Sequence, residues 1–239
     1  MPLMDLLKAL AGAEIGSRRW LTDAIRQGRV EVNGEAVEDF RHPVNVDADH
    51  VLIDGRLVVL KPEKLVYLML NKPKGILSTT SDERGRRTVM HILPEKYRRL
   101  RLYPVGRLDK DSTGLMLLTN DGELTYRVTH PKFEREKEYL VSIDTSLRAG
   151  ERRRLEQGIQ LEDGMTSCVL ICEANDPPFN YSIVLHEGKK RQVRRMFEKL
   201  GYRVRALKRI RIGTLSLGAL KEGEIRELNA KEAKALPGR

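Results

Sequence analysis

Apolar positions in the first sixty residues change period once, and the change divides predicted helix from predicted strand. Trp20, Leu21, Ala24 and Ile25 recur at the three- and four-residue spacing of one helix face. Ser17 stands before them as an N-cap and Gly28 after them as a stop. Arg29-Val30-Glu31-Val32 then alternates, Asn33-Gly34 supplies a turn, and Glu35-Ala36-Val37 completes a predicted hairpin. Further strand is predicted over Val44-Asn45-Val46 and over residues 49–53, closed by Asp54-Gly55. The polar, proline-containing Lys61-Pro62-Glu63-Lys64 precedes a new apolar strand over residues 65–70. A domain boundary is predicted there, between a small mixed domain of residues 1–61 and a larger one of residues 65–239.

In the larger domain Asn71-Lys72-Pro73-Lys74-Gly75 reads as a basic turn and residues 78–88 as an exposed, mobile loop. Strands are predicted over residues 139–143, 166–172, 182–185 and 210–217, and helices over residues 122–129, 149–157 and 192–200. Strands outnumber helices without regular alternation, which predicts an α+β fold with a mainly antiparallel sheet.

Composition narrows the setting. The 239 residues suffice for a buried core in each domain, and no apolar run approaches the length of a membrane span. Nothing resembles a signal peptide, so a cytoplasmic, monomeric protein without a membrane partner is expected. Cys168 and Cys172, four residues apart in a predicted strand, would share a face about 13 Å apart, too far for a disulfide. Net charge is +10, but the first sixty residues carry −3 and the remainder +13, which assigns attraction to a polyanion mainly to the larger domain. Residues 186–211 concentrate eleven Lys or Arg against Glu187 and Glu198, with Met196, Phe197, Leu200 and Tyr202 interleaved. They read as a helix and strand forming one wall of a nucleic-acid cleft.

Residues 103–122 gather polar groups between two glycines and run into the apolar Leu115-Met116-Leu117-Leu118, a loop whose side chains a buried strand would fix. On the residues alone, Asp109 and Asp111 read as solvated turn aspartates ahead of a carboxylate pair. The Gly-Lys-Ser/Thr ending of a phosphate-binding P-loop is missing. His42, His50, His91, His130 and His186 are too scattered for a metal site.

Four motifs in order carry a more specific reading. Asn71-Lys72-Pro73-Lys74-Gly75, then 105–122 with Gly106-Arg107-Leu108-Asp109, then Lys137-Glu138-Tyr139, then 188–196 with Gln192-Val193-Arg194, resemble the RsuA/RluB branch of pseudouridine synthases. Ser17-Arg18-Arg19, Gly28-Arg29-Val30 and Val32-Asn33-Gly34 resemble the S4-type RNA-binding domain that precedes the catalytic domain in that branch. The resemblance implies isomerisation of a specific uridine in ribosomal RNA, most similar to the large-subunit members, with no cofactor and no metal. It places the catalytic aspartate at Asp109 and leaves Asp111 a structural role. It puts the active-site tyrosine at Tyr139, and at Arg194 a basic residue paired with the catalytic aspartate. Arg107 then holds the flipped-out nucleotide, and Arg18, Arg19, Arg29, Lys190, Arg191 and Arg195 contact RNA. The partner is ribosomal RNA or a ribosome-assembly intermediate. Asp5, where arginine is common, and Glu14, in place of a usual glycine, depart from the S4 pattern. Two rival readings stand beside this one: a non-catalytic ribosome-assembly factor that keeps the fold, and a nucleoside hydrolase using Asp109 and Asp111.

Overall fold

A computed structural model of the chain describes residues 3–13, 15–60 and 65–236. Glu14 and the predicted Lys61-Pro62-Glu63-Lys64 separator lie outside the described residues. The chain divides into two compact units, Met1–Leu65 and Val66–Arg239.

The first unit runs β1 (Met4–Asp5), α1 (Leu6–Gly12), α2 (Arg18–Arg26), β2 (Val30–Val32), β3 (Glu35–Ala36), β4 (Pro43–Val44), β5 (Val51–Ile53) and β6 (Arg56–Val58). Its four-stranded antiparallel sheet has the order β3-β2-β5-β6, and β1 pairs with β4. Ser17 caps α2 by accepting from the Trp20 amide, and Leu21, Ala24 and Ile25 enter the core with Leu6, Leu10 and Val30. Trp20 does not join them. It stays 38 % exposed, with the Arg29 guanidinium 5.5 Å from its ring centre. The strand expected through Val46 stops at Val44, because Asn45 turns the chain by accepting the Asp47 amide on its side chain and the Asp49 amide on its carbonyl.

The second unit runs β7 (Tyr67–Lys72), α3 (Glu95–Arg98), β8 (Tyr103–Val105), β9 (Thr113–Thr119), α4 (Gly122–Thr129), β10 (Lys137–Ile143), α5 (Glu151–Gln157), β11 (Ile159–Leu161), β12 (Gly164–Thr166), β13 (Leu170–Asp176), β14 (Phe179–Leu185), α6 (Gln192–Lys199), β15 (Val204–Ile212), β16 (Leu215–Ser216), β17 (Ile225–Glu227) and α7 (Ala230–Ala235). Its main sheet has the order β13-β14-β10-β15-β9-β7-β17, with β16 on β15 and β8 on β9. Every pairing in it is antiparallel except β15 with β9. Leu68, Leu70, Met116 and Leu118 pack into the core on one face, and Met69, Leu115 and Leu117 into a second core on the other. Burial on both faces is why β7 and β9 read as continuous apolar runs instead of alternating.

Several expectations shift. The strand expected over 65–70 lies at Tyr67–Lys72, so Asn71 and Lys72 are buried strand residues and the basic turn shrinks to Pro73-Lys74-Gly75. The loop over 78–88 is closed at its base: the Leu77 amide donates to the Arg87 carbonyl, the Val89 amide to the Leu77 carbonyl, and Ser78 and Thr88 are buried. Residues 166–172 are not one strand. The Cys168 amide bonds the Leu155 carbonyl, which breaks the run between β12 and β13. Cys168 is therefore buried outside a strand and Cys172 exposed within one, both as free thiols that share no face. The strand expected over 210–217 begins at Val204 and folds back at Gly213 (φ +54°) into β16.

Candidate active-site cleft

The loop between β8 and β9 is fixed from beneath by three residues, Ser78, Gly75 and Lys72. The Ser78 hydroxyl donates to the Leu108 carbonyl at 2.7 Å and accepts from the Leu108 amide at 3.1 Å. The Gly75 amide donates to the Lys110 carbonyl at 2.8 Å. Lys72, 0 % exposed, donates from Nζ to the Pro73 and Ser112 carbonyls at 2.9 and 2.8 Å. Burial pulls the Lys72 pKa down to about 8, against the opposing pull of Asp111, Glu222 and Asp109. Asp109 emerges between these anchors, half-buried, with the Ser112 amide on its carbonyl. The loop enters β9 through Gly114 (φ +102°), whose backbone lies flat against Arg209 of the parallel neighbour.

Asp109 faces a cleft of about 1050 Å³ that Arg107, Ser112, Lys137, Tyr139, Lys190, Arg191 and Arg209 also line. Tyr139 is 8 % exposed, paired across β10 with Ile183 on one side and Arg209 on the other. The opposite wall is the start of α6, where Arg191 adopts the left-handed conformation at φ +51°. Its guanidinium lies 4.0 Å from the Asp109 carboxylate and 3.4 Å from that of Asp111.

Arg194 differs from expectation. Its guanidinium pairs with Asp111 at 3.2 Å, not with Asp109, and donates to the Val204 carbonyl at 2.9 Å. The physical reason is placement: Arg194 is 8 % exposed beneath the loop, where the second aspartate points, while Asp109 opens toward the cleft. Burial lowers the Arg194 pKa, and Asp111, ahead of Asp109, opposes that shift. Asp111 is thus the tie between α6 and the loop.

The remaining basic residues separate into groups. Arg107 and Lys190 are exposed at the cleft, whereas Arg195 makes a two-pronged pair with Asp163 at 2.8 and 2.9 Å and is not among the described lining residues. That pair fastens the β11–β12 turn to α6, and the hydrogen bond from Gln192 to Thr166 ties β12 to the same helix. In the first unit Arg18 and Arg19 are exposed at the start of α2, and Arg29 is paired with Asp54 at 2.6 Å. Among the described residues no cluster of three His, Cys, Asp or Glu side chains is placed to hold a metal ion, and no helix is long and apolar enough to cross a membrane.

A family model described as RNA pseudouridylate synthase matches residues 66–199, which include most of the residues lining this cleft, though not Leu207, Arg209 and Ile212. The chain belongs to that family. It is 43 % identical over 230 residues, 95 % of the chain and 90 % of the relative, to an uncharacterized RNA pseudouridine synthase of Mycobacterium tuberculosis (strain ATCC 25618 / H37Rv). It is 38 % identical over 238 residues, 97 % of the chain and 94 % of the relative, to the ribosomal large subunit pseudouridine synthase B of Bacillus subtilis (strain 168). A solved structure described as a pseudouridylate synthase superposes with a TM-score of 0.69 at 34 % identity, covering 98 % of this chain and 99 % of that one.

This pseudouridine synthase also uses residues that sequence reading passed over. Ser78, which the sequence places in an exposed, mobile loop, is one such residue, and replacing it by alanine removes both clamps on Leu108. Leaving a buried backbone amide without its acceptor costs about 1–3 kcal/mol. For Ser78→Ala we expect a turnover loss on the order of tenfold, with RNA affinity little changed. Single-turnover rates and binding measured in parallel check this, and a pure affinity loss would contradict it.

Proposed function

We propose that this pseudouridine synthase isomerises a specific uridine of large-subunit ribosomal RNA, with Asp109 as the reacting carboxylate. The observation that carries the reading is that Asp109 and Tyr139 face one cleft whose exposed margin holds Arg107, Lys190 and Arg191. The large-subunit assignment draws on the named Bacillus subtilis relative, which is matched along nearly its whole length. Isomerisation breaks the bond between ribose C1′ and base N1, turns the uracil, and rejoins C1′ to C5, with a proton lost at C5 and one gained at N1. It is redox-neutral and conserves every atom, so it calls for no cofactor. A carboxylate serves it by trapping an electron-poor C1′ or by taking a proton from C2′.

Tyr139 is assigned to stack on the uracil and assist the C5 proton. Arg107 holds the flipped-out nucleotide, and Lys190 with Arg191 contacts the phosphate backbone. Arg194 acts at one remove, holding the loop through Asp111. The first unit is assigned as an S4-like RNA-binding domain presenting Arg18 and Arg19. The pairing of Arg29 with Asp54 leaves Arg29 a smaller share of that contact. Arg195, committed to Asp163, is assigned to the cleft wall and not to RNA. The protein acts as a cytoplasmic monomer on ribosomal RNA or an assembly intermediate.

The test is to incubate the protein with unmodified large- and small-subunit RNA and map pseudouridine by carbodiimide labelling and primer extension. A single modified position in large-subunit RNA is expected. Modification confined to small-subunit RNA would overturn the substrate, and binding without modification of either would favour an assembly factor. For the cleft wall, Lys190→Ala with Arg191→Ala should weaken RNA binding and flatten its dependence on salt by about one to two released counterions. An unchanged salt slope would remove that wall from the RNA path.

A further inference from the structure

The sheet floor of the cleft carries two cations that the roles above leave unused. Arg209 is 3 % exposed and lines the cleft directly across from Tyr139. Its Nε donates to the Leu115 carbonyl at 2.8 Å, but Nη2 has no hydrogen-bond partner among the described residues. Lys137 stands two residues before Tyr139 on β10, and so on the same face. Its Nζ donates to the Arg135 and His186 carbonyls at 2.8 and 3.0 Å, which uses two of an ammonium's three protons.

A β-bulge puts Arg209 in this place. Between β10 and β15 the register passes from Glu138 opposite Arg211 to Tyr139 opposite Arg209, so Ile210 is an extra residue and the two arginines emerge on opposite faces. Arg211 is neutralised there by Glu136 at 2.9 Å and Glu138 at 2.7 Å. Neither Arg209 nor Lys137 has an ion-pair partner among the described residues. Burial, reinforced by the charges of Arg209 and Arg135, lowers the Lys137 pKa to about 8, which still leaves it protonated at neutral pH. Unneutralised cations in a dry site are costly unless a negative charge arrives during the reaction.

We infer that Arg209 and Lys137 are catalytic residues that hydrogen-bond the uracil carbonyl oxygens and stabilise the negative charge on the base as the glycosidic bond breaks. The inference rests on the proposed reaction at Asp109. Both routes open to that carboxylate share one feature. When C1′–N1 breaks, the bonding pair leaves with the base and spreads from N1 onto O2 and O4, whether Asp109 bonds C1′ or takes the C2′ proton. The charge is consumed when C5 attacks C1′, and the C5 proton then departs. Donors fixed beside Tyr139 thus meet a charge that exists only during the reaction, where pre-set dipoles and cations act most strongly.

Two experiments test this. With the wild-type protein, free uracil and barbiturate are compared as competitors of RNA modification. The two rings are alike in shape, but barbiturate carries a delocalised negative charge over its carbonyls. Barbiturate is expected to inhibit at least about tenfold more tightly, and equal inhibition would overturn the inference. In parallel, Lys137→Met should lower the single-turnover rate by about 10- to 100-fold with RNA affinity within about threefold, while Lys137→Arg stays near wild type. The loss should shrink when the target is 5-fluorouridine, followed as its consumption in nucleoside digests, because fluorine already stabilises the departing base. A structural role would lower both substrates equally, and that result would also overturn the inference. Should the wild-type protein modify no RNA, the proposed reaction fails first. An active wild type whose Lys137 variants behave alike on both substrates isolates the failure to Lys137, and equal inhibition by the two rings isolates it to the pair of cations.

Discussion

Replacing Asp109 by asparagine is expected to abolish pseudouridine formation while leaving RNA binding within about twofold and folding intact. Asparagine has the carboxylate's size without its charge or basicity, so it can neither trap C1′ nor remove a proton from C2′. Losses on the order of a thousandfold or more result when a general base or nucleophile is removed. The fold should tolerate the change because the loop does not hang on this side chain. Its contact with Arg191 is a loose 4.0 Å, whereas the backbone is held by Ser78, Gly75 and Lys72. The matching variant Asp111→Asn addresses the structural carboxylate and should weaken the loop's tie to Arg194 instead. Primer-extension mapping of equal modification by wild type and Asp109→Asn would refute the catalytic assignment. Loss of RNA binding together with activity would make Asp109 a binding residue.

Substitution of Gly114 by alanine should be the most disruptive single-methyl change in the second unit. A Cβ at this position would lie 2.2 Å from the Arg209 carbonyl oxygen and 2.6 Å from its amide nitrogen. Both are backbone atoms of a central strand and cannot swing aside. The residue also sits at φ +102°, outside the conformations open to alanine at low cost. Strain and overpacking together should cost on the order of 3 kcal/mol or more. For a unit of this size that corresponds to a fall in Tm of roughly 6–12 °C. Activity should fall further than stability accounts for, because Gly114 joins the Asp109 loop to the strand that carries Arg209. Calorimetry on Gly114→Ala checks the first part, and a Tm within about 2 °C of wild type would refute it.

The sequence made some of this plain and concealed other parts for definite physical reasons. Helix α4 is legible to the residue because Asp121 caps it and Leu124 and Val128 share its buried side. The motif positions of Asp109 and Tyr139 lead to one cleft. The partner of Arg194 was not legible, since two aspartates two residues apart differ only in which way the loop aims them. Lys72 has the sequence of a turn residue, since lysine next to proline is ordinarily exposed, and only its carbonyl partners show why this one is not. Arg209 was hidden in a run of eleven cations, where composition gives no means of telling the arginine that faces the cleft from those on a solvated face. The break between β12 and β13 likewise depends on the Cys168 amide reaching α5, a contact between residues that no local pattern connects.

The bulge at Ile210 sets the phase of β15 much as a reading frame sets codons. From Ala206 to Arg209 the strand keeps step with Tyr139, up to a second irregularity at Arg205, and Arg211 and Ile212 keep step with Glu138. Substitutions in this strand alter one side chain at a time, but an inserted or deleted residue exchanges the faces of a whole segment, moving a neutralised arginine toward the cleft and an unneutralised one away. The count of residues between Arg209 and Arg211 is therefore under stricter constraint than the identity of the residue between them. That residue can vary in size and polarity, provided it is there.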